Sequence, residues 1–459
     1  MKIIIGSSVL VRFPTQEVRN LCKRDLVIDN PEYISKIRAG RWIGNTPPKM
    51  YLYEENGNDL IIPFGFLNRI PRDNTTKSVW ETYRSKESFE ADYKSGIKLY
   101  DYQSAVVDKM LVSRNGVVVM PCGSGKTQTA LECIARLGLK TLWLTHTQDL
   151  LNQSIERAKN CFNCNDDMFG TITAGKVKIS NGITFATVQT MCKLDLSRYR
   201  TEWACIVVDE CQHCCGSPTR VTQFYKVVNS LYAPYKFGLT ATPHRASDNL
   251  DTSMYALLGK IIAEVDKSQV SDTTCPVKVV CVSTGYSPDL KVALNGDGTI
   301  NYTSITSDLT GNKERFERVS MTINDCCFKY SMVLANRVDY LINLQKAYAG
   351  RSVCLSARGA KKERKEALRK LNDGEIDCIF ATYQLAAEGL DCPNLRNVVL
   401  ATPEKNERIV TQAVGRVSRK AEGKNYGTVI DFIDDFGMYK GWAAKRIRYY
   451  KKIGVEDII

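Results

Sequence analysis

The sequence predicts an α/β protein, with two tandem parallel-sheet domains behind a small mixed α/β N-terminal domain. Three observations lead there. From about residue 97 onward, short apolar runs of four to six residues alternate with amphipathic stretches. A second series of such runs follows an irregular patch at about residues 270–325. The 459-residue length also suits about three domains at roughly 150 residues each.

Taken in order, residues 1–92 are basic and mixed, with a Pro-rich stretch at Thr46-Pro47-Pro48 and a strand-and-turn reading at Leu60 to Phe66. Residues 93–270 carry the first series: Gly116 to Met120, Thr141 to Thr145, Ile183 to Thr187, Cys205 to Asp209 and Phe237 to Thr240. Continuous β-branched runs of this kind suit strands buried on both faces of a parallel sheet, with helices as crossovers. Residues 271–440 carry the second series: Ser331 to Leu334, Ser352 to Leu355, Cys378 to Thr382, Val398 to Leu400 and Thr428 to Phe432. Residues 441–459 form a basic, aromatic tail. Its cations and rings suit either nucleic-acid contact or a packed terminal helix.

Composition excludes several classes. With 44% hydrophobic and 25% charged residues, the chain is neither disordered nor fibrous. No apolar stretch approaches 18 residues, so no membrane partner is expected. The 17 cysteines show no framework spacing, which predicts reduced thiols in a cytoplasmic protein. Cys161-x-x-Cys164 and Cys211-x-x-Cys214 admit a metal site as the minority reading. A net charge of +13 favours a polyanionic partner, most often nucleic acid.

Two motifs carry chemistry. Pro121-Cys122-Gly123-Ser124-Gly125-Lys126-Thr127 follows an apolar strand and opens a helical pattern. Its glycines let backbone amides cradle phosphate oxygens at a helix N-terminus. Lys126 would reach the β- and γ-phosphates of ATP, and the Thr127 hydroxyl would ligate Mg²⁺. Met120 stands where the usual eight-residue pattern begins with Gly. The second motif, Val207-Val208-Asp209-Glu210-Cys211-Gln212-His213, ends a strand in paired carboxylates. Asp209 would join the Mg²⁺ shell, and Glu210 would orient and deprotonate the attacking water.

With Leu239-Thr240-Ala241-Thr242-Pro243 and Gln412-Ala413-Val414-Gly415-Arg416-Val417-Ser418-Arg419, these motifs occur in the order of a superfamily 2 helicase. The Asp-Glu-Cys-Gln-His form and the run Thr382 to Asp391 most resemble the XPB/UvsW branch. The resemblance implies two RecA-like domains and an ATP-dependent DNA helicase or translocase. Its substrate would be single-stranded, forked or junction DNA in replication, recombination or repair. An RNA-directed helicase and the motor of a restriction assembly are the rival readings. The expected setting is a bacterial or phage-infected cytoplasm; the oligomeric state stays open, with a monomer as the favoured expectation.

The resemblance also assigns residues. Tyr102 and Gln103 look like the adenine-reading element, and Gly389 and Asp391 lie near the ribose and triphosphate. Thr145, His146, Gly175, Thr187, Gln189, Asn336, Arg337 and Thr382 fall in the strand-contacting motifs. Gln412, Arg416 and Arg419 join the catalytic set. The two arginines are three apart, so both can face one way from a helix as arginine fingers. Solvated arginines on a helix face are the ordinary alternative. The N-terminal basic run, with Arg38, Arg41, Trp42 and Tyr51, suits branch recognition or a folding accessory. Since the α/β core reads as complete without it, removal of the first 94 residues is expected to leave a folded protein.

Overall fold

A computed structural model describes the chain except for residues 82–90, 122, 219–220, 244–249, 271–273, 297, 328, 356–360 and 388–391. Two compact units result, residues 1–121 with 125–266, and residues 122–124 with 267–459.

Among the described residues the first unit holds two larger sheets and a two-stranded one, Val27–Asp29 with Lys49–Tyr51. Strands Lys2–Ile5, Ser8–Arg12, Glu54–Asn56, Asp59–Pro63 and Lys77–Trp80 build the N-terminal one. Alternation drives it: Ile3, Ile5, Val9 and Val11 point inward, as the period-2 pleat requires. This core does not stop at the domain's edge, because Ala256 of helix Asp251–Leu258 belongs to the same apolar cluster. Gly65 explains the close fit. A Cβ there would lie 2.7 and 2.8 Å from the Tyr255 and Ala256 carbonyls, and nearer still to the Gly259 amide. Phe64 lies over Lys236, whose Nζ is 4.7 Å from the ring centre. The N-terminal sheet is therefore seated on the nucleotide-motif domain, and its removal would uncover Ala256 and Lys236.

The second sheet of this unit has eight strands. Its order is Lys176–Lys178, Phe169–Thr173, Ile183–Thr187, Thr141–Thr145, Cys205–Asp209, Tyr235–Thr240, Asn115–Val119 and Ile261–Glu264. All pairs are parallel except the Phe169–Thr173/Lys176–Lys178 hairpin. Strands 141–145, 183–187 and 205–209 are buried throughout, matching their unbroken apolar runs.

The second unit repeats the theme with seven parallel strands. The order is Ser352–Leu355, Cys378–Thr382, Ser331–Ala335, Asn397–Leu400, Gly427–Ile433, Val277–Ser283 and Asp457–Ile458. The C-terminal segment is part of this body. The expected boundary at 440/441 falls inside helix Gly437–Lys452, and Asp457–Ile458 adds a strand beside Val277–Ser283. Arg446 is buried and bonds Asp431 at 2.8 and 3.0 Å, while the Tyr450 hydroxyl donates to Asp431 at 2.8 Å. Packing has won over solvent contact for these two tail residues. Among the described residues, no helix is long and apolar enough to cross a membrane.

Candidate functional site

Three motifs meet at one edge of the first parallel sheet because three strands lie side by side there. Asp209 pairs with Leu239, and Thr240 pairs with Val119. The strand carboxyl ends thus bring the carboxylates, the threonine motif and the phosphate loop together, where open α/β sheets place ligands.

The loop has the shape its glycines predict. Gly123 and Gly125 adopt φ of +85° and +80°, a region open to glycine at little cost. Gly125 caps helix Lys126–Leu137. A side chain there would run into Gln103 Nε2. Gln103 is buried, and its Oε1 accepts from the Tyr100 amide at 3.0 Å, fixing the residue against the loop. The Tyr102 ring stacks on Tyr100 at 5.8 Å. Lys126 Nζ donates to the Met120 and Pro121 carbonyls at 3.2 and 3.4 Å, and Ser124 is buried. Cys122, Gly389 and Asp391 lie outside the described residues.

Asp209 is 8% exposed at the end of its strand. Burial pushes its carboxyl well above the usual range, and the neighbouring Glu210 charge adds to this; Lys126 and Arg157 pull the other way. A nearby cation would favour the charged form of such a carboxylate. Glu210 takes a left-handed backbone, φ +53°, which costs a non-glycine residue about 1–3 kcal/mol. Its surroundings hold it there. The Glu210 amide donates to Asp209 Oδ1 at 3.0 Å, and Gln212 Nε2 donates to Glu210 Oε2 at 2.5 Å. Gln212 Oε1 in turn accepts from Thr240 Oγ1 at 2.7 Å, and the Thr242 amide donates to Thr240 Oγ1 at 3.0 Å. A continuous relay therefore runs from the threonine motif to Glu210.

Two features escaped the sequence. Arg157, on helix Gln148–Cys161, donates to Thr127 Oγ1 at 3.4 Å. Nothing in its local sequence singles it out, since only the fold brings that helix face to the loop. The second is a ring contact. His146 and His213 lie 4.4 Å apart between centres, and His213 faces Phe224 at 6.3 Å. His146 follows strand Thr141–Thr145, and His213 follows the carboxylate pair. His244, the third histidine, lies outside the described residues.

The candidate strand contacts divide by exposure. Thr145 and Thr187 are buried, and their hydroxyls meet the Thr147 carbonyl at 3.1 Å and Thr190 Oγ1 at 2.9 Å. Thr382 Oγ1 accepts from the Leu385 amide at 3.3 Å. These three hydroxyls shape loops. Gln189 is exposed, with its amide donating to the His146 carbonyl. Gly175 turns the exposed hairpin between Phe169–Thr173 and Lys176–Lys178. Asn336 is exposed and Arg337 half-buried at the end of strand Ser331–Ala335, next to Thr382 because Ala335 and Thr382 are register partners.

Arg416 and Arg419 do not share a helix face. Helix Glu407–Val417 ends before Arg419, which forms an isolated bridge with Thr274. Lys424 Nζ holds this stretch by donating to the Arg419 and Leu395 carbonyls at 2.8 and 2.6 Å. Arg416 stays on the helix and donates to the Ala386 carbonyl. Gln412 precedes it by one turn, with its Oε1 buried and without a hydrogen-bond partner among the described residues. Cys211 and Cys214 are fully buried and Cys161 and Cys164 half-buried; burial raises all four thiols. No group of three or more metal-ligating side chains gathers among the described residues.

A glycine-turned loop at a helix N-terminus, paired carboxylates at a strand end and two parallel sheets suit a nucleotide-hydrolysing enzyme. Comparison with known proteins narrows this. Residues 96–245 match the family model "Type III restriction enzyme, res subunit", and residues 303–421 match "Helicase conserved C-terminal domain". A protein of Acanthamoeba polyphaga mimivirus, named as a proposed ATP-dependent RNA helicase, is 26% identical over 87% of this chain and 76% of its own. The DNA 3'-5' translocase XPB2 of Sulfurisphaera tokodaii is 25% identical over 72% and 80%. The ATP-dependent DNA helicase uvsW of Enterobacteria phage T4 is 23% identical over 92% and 87%. Among solved structures, S. cerevisiae Dbp5 bound to RNA and ADP BeF3 shares the fold, with TM-score 0.54 and 16% identity over 79% of this chain and 89% of its own. The chain is a superfamily 2 helicase of the XPB/UvsW-like branch, an ATP-dependent nucleic-acid helicase with a tandem RecA-like fold.

Proposed function

We propose that this helicase remodels branched DNA, opening forks and junctions in replication, recombination or repair. The observation that carries the reading is Trp42, 89% exposed beside the exposed Arg38 and Arg41 on the N-terminal domain. An aromatic ring flanked by cations can stack on an unpaired base while holding its phosphates. The names of the translocase and phage helicase relatives support DNA as the polymer.

ATP would lie on the Pro121–Thr127 loop, with Gln103 and Tyr102 toward the base. The positive-φ glycines and the helix N-terminus suit a triphosphate. Thr127 and Asp209 would hold Mg²⁺, whose charge offsets the strain of the buried carboxylates; when bound it neutralises charge on the phosphates. Glu210, fixed by Gln212, would take the proton from the attacking water. Lys126 would leave its carbonyl partners for the phosphates. Gly389 and Asp391 complete the nucleotide set. Arg416, with Gln412 and Arg419, would act mainly in the transition state, so Arg416→Ala should lower kcat more than nucleotide affinity. Unchanged kcat with weakened ATP binding would make it a ground-state ligand. His146, Gly175, Gln189, Asn336 and Arg337 would track the strand, with Thr145, Thr187 and Thr382 shaping their loops. The protein would work as a monomer in a bacterial or phage-infected cytoplasm.

The test compares ATPase stimulation and binding on single-stranded DNA, duplex, fork, four-way junction and RNA. Forks and junctions should stimulate most. Trp42→Ala with Arg41→Ala should weaken fork binding about tenfold and single-strand binding less. RNA stimulating as strongly as any DNA would favour the RNA reading, which the mimivirus relative's name supports. Stimulation by plain duplex alone would favour the restriction-motor reading, which the residue 96–245 match supports.

A further inference from the structure

The second unit carries an aromatic and cationic cluster that none of the helicase motifs accounts for. Its base is a small apolar core of Tyr286, Ala293, Ile305, Leu309 and Tyr439, separate from the sheet's own cores. On this core, Tyr302 opens helix Tyr302–Gly311 and is 54% exposed. Trp442, half-buried, packs edge-on against Tyr439 at 5.4 Å. Between the two rings sits the exposed Lys405, with Nζ 5.7 Å from the Tyr302 ring centre and 5.1 Å from that of Trp442. Among the described residues no ion pair holds the Lys405 ammonium; it lies against these two ring faces, which attract a cation through their quadrupoles.

The cluster is bonded to the strand-contacting motif from both sides. Arg337 donates to Ser307 Oγ, on the Tyr302 helix, at 2.8 Å. Asn336 Nδ2 donates to the Pro403 carbonyl at 3.3 Å, and the Asn336 amide donates to Thr402 Oγ1 at 3.0 Å. Both partners stand within three residues of Lys405. The fold thus ties the segments that carry an exposed aromatic ring and an exposed cation to Asn336 and Arg337.

We propose that Tyr302 and Lys405, backed by Trp442, form a binding site for one unpaired nucleotide. The base stacks on the exposed face of Tyr302, and the Lys405 ammonium takes the adjoining phosphate. The occupant is a single strand because a stacked base has to be unpaired, and a paired base in duplex offers no free face. The chain's net charge of +13 favours the same polyanion. Opening a duplex continuously exposes such bases, so a platform beside the strand motif would hold each one against re-pairing. This inference rests on nucleic-acid unwinding, and not on the proposed preference for branches.

The experiment measures binding of a 15-mer oligo-dT, a 15-mer carrying abasic sugars throughout, and a blunt 15-base-pair duplex. The full-length protein is compared with Tyr302→Ala, Tyr302→Phe and Lys405→Ala, after thermal melts confirm that each is folded. Stacking on an aromatic ring is lost by alanine substitution at a cost of about tenfold in affinity for oligo-dT. Tyr302→Phe should stay within about twofold, and the abasic strand and the duplex should not distinguish Tyr302→Ala from wild type. Lys405→Ala should lower the slope of log affinity against log salt by about one. Equal losses on oligo-dT and the abasic strand would overturn the stacking role, as would an unchanged Tyr302→Ala. Failure of wild type to bind any single strand would overturn the site together with nucleic-acid binding itself. Loss of branch preference alone would touch only the reading of the N-terminal domain.

Discussion

At the residue scale, Glu210 concentrates the most constraint. Its backbone is left-handed, its amide is tied to Asp209, and its carboxylate takes the Gln212 amide. Such strain persists where surrounding structure over-determines it, and it clusters at working sites. Glu210→Gln should keep ATP bound while slowing hydrolysis by more than tenfold. Turnover within about tenfold of wild type would contradict its role as the base. Lys236 is a different kind of constrained residue. It is buried, and burial pushes its ammonium down to about 7 from 10.5, with the Cys214 thiol opposing. Between about pH 7 and 10.5 the unfolded chain therefore binds a proton that the folded chain does not. This group's contribution makes stability rise with pH across that window, by about 1.4 kcal/mol per unit. Lys236→Met should remove this rise, read as the difference in urea midpoint between pH 7 and pH 9. A slope identical to wild type would show that Lys236 finds water in the folded state.

At the element scale, docking of the N-terminal sheet depends on the approach of the turn Phe64–Arg69 to helix Asp251–Leu258. Gly65→Ala places a methyl against the Tyr255 and Ala256 carbonyls, so backbone has to shift. Overpacking of this sort costs about 1–3 kcal/mol, and thermal unfolding of Gly65→Ala should show it. No change would mean that the sheet is held by side chains alone. The relay from Thr242 through Thr240 and Gln212 to Glu210 is also an element-scale device, since it joins two adjacent strand ends. The tilted His146–His213 contact similarly joins the loop after strand Thr141–Thr145 to the carboxylate motif.

At the scale of the whole molecule, the +13 charge sets how the enzyme meets its polymer. Phosphate neutralisation releases counterions, so log affinity should fall linearly with log salt, by about 0.7 per contacted phosphate on a single strand. Titrations from 50 to 200 mM salt should give a slope of about −3 or steeper. A slope near zero would remove the phosphate-dominated picture.

The sequence by itself determined the fold class and the two motifs proposed to hold nucleotide. Both are local in origin. Runs such as Cys205–Asp209 are apolar throughout because both faces of a parallel strand are buried. The spacing of Gly123, Gly125 and Lys126 needs only a strand before it and a helix after it. Motif order then carried the family. Tertiary structure alone decided which side chains meet. The approach of Arg157 to Thr127, the histidine contact and the Tyr302–Lys405–Trp442 cluster join residues 30, 67 and up to 140 positions apart, distances over which no sequence period persists. Arg419 shows the same limit from the other side. A spacing of three places residues on one helix face only while the helix lasts, and Val417 ends it. The tail makes the point once more: cations and rings in Arg446 to Tyr450 suit solvent or core equally, and the buried carboxylate of Asp431 selects the core for Arg446 and Tyr450.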